Sequence, residues 1–306
     1  MYATTNLLDK FASIEVTADT RIDAADRHYC QMQQKAYEHG RDSLKQLIEM
    51  ANKLYNEQGA IFENEGYETY STFMSGLNIS QIEDVLEKTH GHFIDTIFEY
   101  FRRKYSVDVN SYDARVNLLP SKPSTSLWHR NDDEWETYET TLKELSLSYQ
   151  SIVDQVFLQL GGLTFADKAV KEIKDAAHAA AWNEWRGTKC YEQKKAIVSL
   201  SYGCSFDDWW EKNKFSGRTE HHITFFDSTK NVIRAIIHSE YGATDYYPAG
   251  LLELMGYYWK TEDTEITVSM DCLKSVKCFK NGRVDFRFAS EGHARQFVEE
   301  YLGMTA

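Results

Sequence analysis

Proline is scarce along the whole of this chain. Only Pro120, Pro123 and Pro248 occur in 306 residues. Proline removes a backbone donor and clashes with the preceding helical turn, so long stretches without it leave room for long helices. Hydrophobic residues make up 42% of the chain, which is enough apolar material to bury a substantial core. The sequence therefore predicts a folded protein in which long helices predominate.

Two long segments of the first third have apolar residues at helical spacing. Residues 23–59 contain no proline, and Gly59 stands where a left-handed glycine would end a helix. Residues 78–105 form the second predicted helix. In it, Ser80 and Glu83 match the S-x-x-E capping pattern, in which each side chain bonds a free backbone N–H.

Two further helices are predicted, over residues 131–160 and 164–185. The first of them begins with the densest acidic and aromatic cluster of the sequence. Acidic residues at a helix N-terminus complement the helix dipole, so one interpretation is a solvated helix start. The alternative is a surface that docks into the basic groove of a partner protein, such as its DNA track. The cluster consists of Asp132, Asp133, Glu134, Trp135 and Glu136.

From Cys190 onward the pattern changes to a mixture of strands and short helices. Residues 265–270 and 276–288 are predicted strands, and a helix is predicted over 291–302. Lys280, Asn281 and Gly282 mark a tight turn, because Asn and Gly tolerate the positive φ that such turns require. Residues 195–202 fit a buried strand or an apolar helical turn equally well.

The predicted fold class is α+β and predominantly α. An elongated helical N-terminal part is followed by a smaller C-terminal α+β module that contains an antiparallel hairpin. Residues 107–125 break the helical pattern and include two prolines, so this segment is the predicted boundary. We therefore expect four parts: a helical N-terminal region (1–109), a linker (110–126), a helical hairpin region (127–189) and an α+β C-terminal domain (190–306).

The chain is acidic, with a formal net charge of −13 from 47 acidic and 34 basic residues. Proteins that bind the phosphate backbone directly show the opposite balance, because lysine and arginine release its counterions. We interpret the basic triplet Arg102 to Lys104 as a helix-end feature, with a nucleic-acid patch as the alternative. No direct nucleic-acid partner is therefore expected.

The location of the protein is predicted from its cysteines and from missing signals. No leader peptide and no run of eighteen apolar residues occur, so we expect no membrane contact and a cytoplasmic protein. Cys272 and Cys278 are six positions apart, which is too wide for a zinc knuckle. They are either buried small apolar residues or a conditional disulfide beside the hairpin.

Motifs that carry chemistry are absent from the sequence. No phosphate-binding loop, dinucleotide fingerprint, nucleophile elbow or zinc-protease motif occurs. A hydrolase could use the pair Asp207 and Asp208 with His221 or His222, but adjacent histidines on a strand point to opposite faces. Trp209 and Trp210 are interpreted as core residues or as the anchors of a protein interface. We therefore expect no enzyme, no catalytic residue, no cofactor and no metal.

The C-terminal segment from Lys277 to Phe288 resembles the closing motif of a protein family of unknown function. Members of that family are carried on plasmids, integrative elements and phages. The shared features are an aromatic-Lys-Asn-Gly turn, an aromatic strand and a helix that ends in Glu300-Tyr301. This resemblance implies a shared module and an origin in a mobile element.

The whole chain is similar in character to phage proteins that inhibit the Gabija defence system. The similarity rests on size, acidity, a helical first half and the missing catalytic motif. It implies a homo-oligomer that encloses a host nuclease–helicase complex in the bacterial cytoplasm and blocks DNA binding and cleavage. The alternative is an accessory protein of a mobile element that binds DNA or a DNA-modification enzyme.

Overall fold

The chain folds into two compact units, Met1–Thr164 and Phe165–Ala306. The computed structural model describes residues 21–64, 79–124, 131–183, 187–206, 221–242, 248, 250–256, 259–261 and 264–303. Within these residues the first unit is helical, and the second combines helices with antiparallel sheets. The predicted fold class, α+β with a predominance of helix, is thereby confirmed.

The first unit is built around a long helical hairpin. Tyr29 stacks on Tyr100 with ring centroids 3.9 Å apart, and Tyr37 stacks on Phe93 at 4.4 Å. The residue number rises from Tyr29 to Tyr37 while that of the stacked partner falls from Tyr100 to Phe93, so the first two helices are antiparallel. The helices of this unit are α1 (Ala24–Asn64), α2 (Ile79–Tyr105), α3 (Tyr112–Leu118), α4 (Asp132–Glu144) and α5 (Tyr149–Leu160).

Two of these helices differ from the predicted bounds. α1 continues through Gly59 to Asn64, because a glycine inside a helix costs only about 1 kcal/mol relative to alanine. The single helix predicted over 131–160 is two helices, α4 and α5. Ser148 starts the second one, since its hydroxyl accepts a hydrogen bond from the Ser151 N–H at 3.1 Å.

The segment predicted as a linker, 110–126, contains α3 and is fastened to its neighbours. Ser111 Oγ donates to Asp95 on α2 at 2.5 Å. The Asn110 backbone exchanges hydrogen bonds of 3.0 and 2.8 Å with the Gln159 amide on α5. The boundary between the units lies after Thr164 instead, so the predicted hairpin region 127–189 is divided between them.

Buried hydrogen bonds join the helical hairpin to α4 and to the segment between α4 and α5. His90 is fully buried. Its Nε2 lies 3.1 Å from the Leu142 carbonyl oxygen, and its Nδ1 lies 2.8 Å from the Tyr37 hydroxyl. A carbonyl only accepts, so Nε2 carries the proton and Nδ1 accepts from Tyr37. The Tyr37 hydroxyl in turn accepts the Leu147 N–H at 3.2 Å.

The first unit is expected to lose stability on acidification through His90. Burial lowers the pKa of His90 from 6.5 to about 4. The unfolded state therefore takes up the proton first, so full stability holds above about pH 6.5 and is lost as the pH falls towards 4. The expected loss is about 3 kcal/mol. Urea unfolding of wild type and His90→Gln at several pH values measures it, and equal pH profiles of the two would contradict the account.

The second unit packs helices against antiparallel sheets. A five-stranded sheet has the order β3-β4-β10-β9-β8, a three-stranded sheet has the order β5-β6-β7, and β1 pairs with β2. Residues 195–202 thus contain a strand. The strands are β1 (Trp182–Asn183), β2 (Thr188–Lys189), β3 (Tyr191–Lys194), β4 (Ile197–Leu200), β5 (Cys204–Phe206), β6 (His221–Phe225), β7 (Trp259–Thr261), β8 (Glu265–Thr267), β9 (Leu273–Cys278) and β10 (Val284–Phe288).

The helices of this unit begin with α6, which ends at Ala181, before β1. α6 packs against α7 and against the C-terminal π-helical turn. These contacts bury Ala177 and Ala181 completely, so small side chains allow the close approach. The helices are α6 (Phe165–Ala181), α7 (Asp227–Tyr241), α8 (Leu251–Leu254) and α9 (Glu291–Phe297), and the π-helical turn is Val298–Leu302.

The turn between β9 and β10 is formed by Lys280, Asn281 and Gly282. Gly282 has a φ of 84°, and its N–H donates to the Phe279 carbonyl at 2.8 Å. The Asn281 side chain accepts the Arg283 N–H at 3.2 Å. This is a three-residue hairpin loop with glycine in the left-handed position.

Of the two alternatives for Cys272 and Cys278, the disulfide is not formed, because both thiols are free. Cys272 precedes β9 and Cys278 ends it. A strand rises about 3.3 Å per residue, so their α-carbons lie roughly 20 Å apart. A disulfide needs α-carbons within about 7 Å.

Candidate acidic interface

The acidic cluster lies at the start of α4, as the sequence predicts, and forms an exposed acidic surface. Asn131 caps the helix, since its side chain accepts the Asp133 N–H at 3.2 Å and donates to Glu134 at 3.0 Å. The helix dipole favours negative charge at this end. We call the exposed carboxylates of this turn the acidic face: Asp132, Asp133, Glu134 and Glu136.

An aromatic pair lies beneath the acidic face. Trp135 is half-buried, and its ring meets the buried Tyr138 edge-on, with centroids 5.9 Å apart. Burial raises the pKa of Tyr138, and the nearby carboxylates of Glu87 and Asp84 on α2 raise it further. Carboxylates of α2 therefore lie close to α4, and that of Glu87 is paired with Lys122 at 2.8 Å.

The indole N–H of Trp135 makes no hydrogen bond within the described part of the chain. Buried donors usually find a partner, and an unpaired one costs about 1–3 kcal/mol. This nitrogen is itself buried, so the unpaired donor lies under the surface and not on it. Trp135 thus adds a half-buried aromatic side chain next to the exposed carboxylates.

The basic triplet at the end of α2 does not form a positive patch. Glu99 accepts hydrogen bonds of 2.7 and 2.8 Å from Arg102 and also pairs with Arg103. Lys104 binds Asp23 at 3.0 Å and also binds Asp26, both close to the start of α1. Each cation of the triplet therefore has an acidic neighbour, and the interpretation as a helix-end feature fits this arrangement.

Asp26 is the centre of a buried cluster that the sequence did not reveal. Its carboxylate is fully buried and accepts the hydroxyls of Tyr100 at 2.7 Å and Tyr105 at 2.5 Å. Burial raises the pKa of each of these two tyrosines to about 12, and the Asp26 carboxylate adds to the effect. Burial disfavours the Lys104 cation, but its hydrogen bonds to Asp26 and Asp23 raise its pKa overall.

A cavity of about 220 Å³ in the second unit contains a thiol, a carboxylate and an imidazole. The Glu240 carboxylate accepts the N–H groups of Asp271 at 3.0 Å and Cys272 at 2.8 Å. Burial raises the pKa of Cys272 to about 12, and its hydrogen bond to Glu240 acts in the same direction. A nucleophilic cysteine requires a lowered pKa, so this group of residues, which includes His293, lacks an activated nucleophile.

The described residues do not test the hydrolase hypothesis. Asp207 and Asp208 lie outside the described residues, as do Trp209 and Trp210. His222 lies on β6, opposite Lys260 of β7. Among the described residues, no group of three His, Cys, Asp or Glu side chains is arranged to hold a metal ion.

Comparisons with known proteins identify no relative of this chain: no family model, no curated protein and no solved structure matches it. The described helices include none that combines the length and apolar character required to cross a membrane.

Proposed function

We propose that this protein is a non-enzymatic, phage-encoded inhibitor of a bacterial anti-phage defence system. It binds a nuclease–helicase complex of the Gabija type as a homo-oligomer, encloses it and blocks DNA binding and cleavage. The observation that carries the proposal is the exposed acidic face, with the half-buried Trp135 next to it.

Charge complementarity supports this choice of partner. A DNA-binding channel is lined by lysine and arginine, because those residues neutralise the phosphates. The acidic face presents carboxylates at one helical turn, where the helix dipole also stabilises bound negative charge. Such a surface attracts a basic groove over long range and speeds association with it. It would occupy the positions that DNA phosphates otherwise take.

Trp135 supplies the apolar part of the proposed contact. Tryptophan is enriched among the residues that contribute most to protein interfaces, particularly when polar groups surround it and exclude water. Here the neighbouring exposed groups are the carboxylates of the same helical turn. Exposed carboxylates beside a half-buried tryptophan fit a protein–protein contact.

Charge reversal of the acidic face is expected to weaken binding to a purified nuclease–helicase complex. Replacing Asp132, Asp133, Glu134 and Glu136 by lysine should raise the Kd at least about tenfold at low salt, and the difference should shrink at high salt. A second variant, with Asn and Gln at the same positions, removes the charge with little change of shape. Isothermal titration calorimetry measures the affinity.

The matched control reverses four exposed acidic residues of the second unit, namely Asp175, Glu192, Glu291 and Glu299. It changes the net charge by the same amount and should leave the Kd within about twofold of wild type if the effect is local. Thermal unfolding verifies that all variants fold. An unchanged Kd for the acidic-face variants, with folding intact, would rule out this surface as the binding site.

A further inference from the structure

Two of the five cysteines meet inside the second unit. Cys204 opens β5 and Cys278 ends β9, and they are 3% and 2% exposed. The Cys204 thiol donates to the carbonyl oxygen of Phe279, the residue after Cys278, at 4.0 Å. The Cys204 sulfur therefore lies beside the end of β9, where Cys278 is located.

The backbone around this pair is held from both sides. The Gly282 carbonyl accepts the N–H of Gly203 at 2.7 Å and that of Cys204 at 3.2 Å. These bonds fasten the hairpin turn of the five-stranded sheet to the first strand of the three-stranded sheet. Both chain segments that carry the two cysteines are therefore held close together by the backbone.

The two thiols differ in their pKa values. The hydrogen bond from the Cys278 thiol lowers the pKa of Cys204, and this effect outweighs burial. The same hydrogen bond, together with burial, raises the pKa of Cys278. Cys204 is thus the sulfur that forms a thiolate, and Cys278 is its proton donor.

We propose that Cys204 and Cys278 form a reversible disulfide that joins the two sheets of the second unit, with a peroxide as the oxidant. The Cys204 thiolate attacks one oxygen of hydrogen peroxide, the O–O bond breaks, and the released hydroxide takes up a proton to become water. The Cys278 sulfur then attacks the resulting sulfenic acid at Cys204. The S–O bond breaks, and the leaving hydroxide takes the Cys278 proton and becomes the second water.

The two sulfurs together lose two electrons, which the peroxide oxygens receive. The product closes a long loop between β5 and β9, and such a loop restricts the unfolded chain strongly. The oxidised protein should therefore resist unfolding better than the reduced protein. Because the disulfide lies in the second unit, only that unit should unfold at a higher temperature after oxidation.

Peptide mapping of the peroxide-treated full chain under non-reducing conditions tests the proposal. We expect a peptide pair linked through Cys204 and Cys278, reversed by dithiothreitol, and a rise of Tm by roughly 5 °C. Cys204→Ser and Cys278→Ser should abolish both effects, whereas Cys272→Ser should retain them. Recovery of Cys204 and Cys278 as free thiols, or linkage of either one to a different cysteine, would overturn the proposal. Peptide mapping of the wild-type protein tests the proposed disulfide even if a serine variant does not fold.

Discussion

Replacing Asp26 by alanine is expected to destabilise the first unit by about 3 kcal/mol. The Asp26 carboxylate is fully buried and accepts hydrogen bonds from Tyr100 and Tyr105, and it pairs with Lys104. Its removal leaves two tyrosine hydroxyls and part of the lysine charge without a partner in a region that water reaches poorly. The loss of these bonds costs much more than that of an exposed ion pair.

Urea unfolding of the variant measures this effect, and Asp42→Ala is the matched control. Asp42 is exposed and pairs with Arg41 at 2.7 Å, so its loss should change the free energy of unfolding by less than about 1 kcal/mol. If Asp26→Ala were no more destabilising than Asp42→Ala, Asp26 would not be the centre of a stabilising cluster.

The second large effect is expected from Gly282→Val in the hairpin turn. Gly282 has a φ of 84°, a conformation that a β-branched residue resists. A β-carbon at this position would also lie 3.0 Å from the Cys204 carbonyl oxygen. Strain and crowding together should destabilise the second unit by about 2–4 kcal/mol.

Thermal unfolding detects this change, with Gly292→Ala as the control. Gly292 lies inside α9, and a β-carbon there would meet nothing closer than 3.6 Å. Alanine at that position should be neutral or stabilise the protein by up to about 1 kcal/mol. A wild-type Tm for Gly282→Val would show that the left-handed turn is not required.

Local patterns in the sequence predicted the helices and the hairpin well. The three- and four-residue spacing of apolar side chains between 78 and 105 indicates α2 directly, and Asn281-Gly282 indicates the turn, because both signals depend on neighbouring residues alone. Gly59 misled the prediction, since a glycine can end a helix or lie within one at a small cost.

Contacts between distant residues could not be predicted in the same way. Asp26 and Lys104 are far apart in sequence and meet only because α1 and α2 are antiparallel. Cys278 lies six positions from Cys272, but its end of β9 is next to Cys204, since the hairpin turn is hydrogen-bonded to the start of β5. The acidic face was predictable because all of its members lie in one helical turn, whereas the closeness of Asp84 and Glu87 on α2 to α4 was not.

The most direct test of the proposed function is light scattering of the purified protein mixed with a purified Gabija-type nuclease–helicase complex. Chromatography would separate the species, and DNA cleavage would be assayed in the same fractions. We expect the inhibitor to be an oligomer by itself and to form a larger, stable complex in which cleavage is lost. Separate elution of the two proteins at micromolar concentration, with cleavage unchanged, would contradict the proposed function.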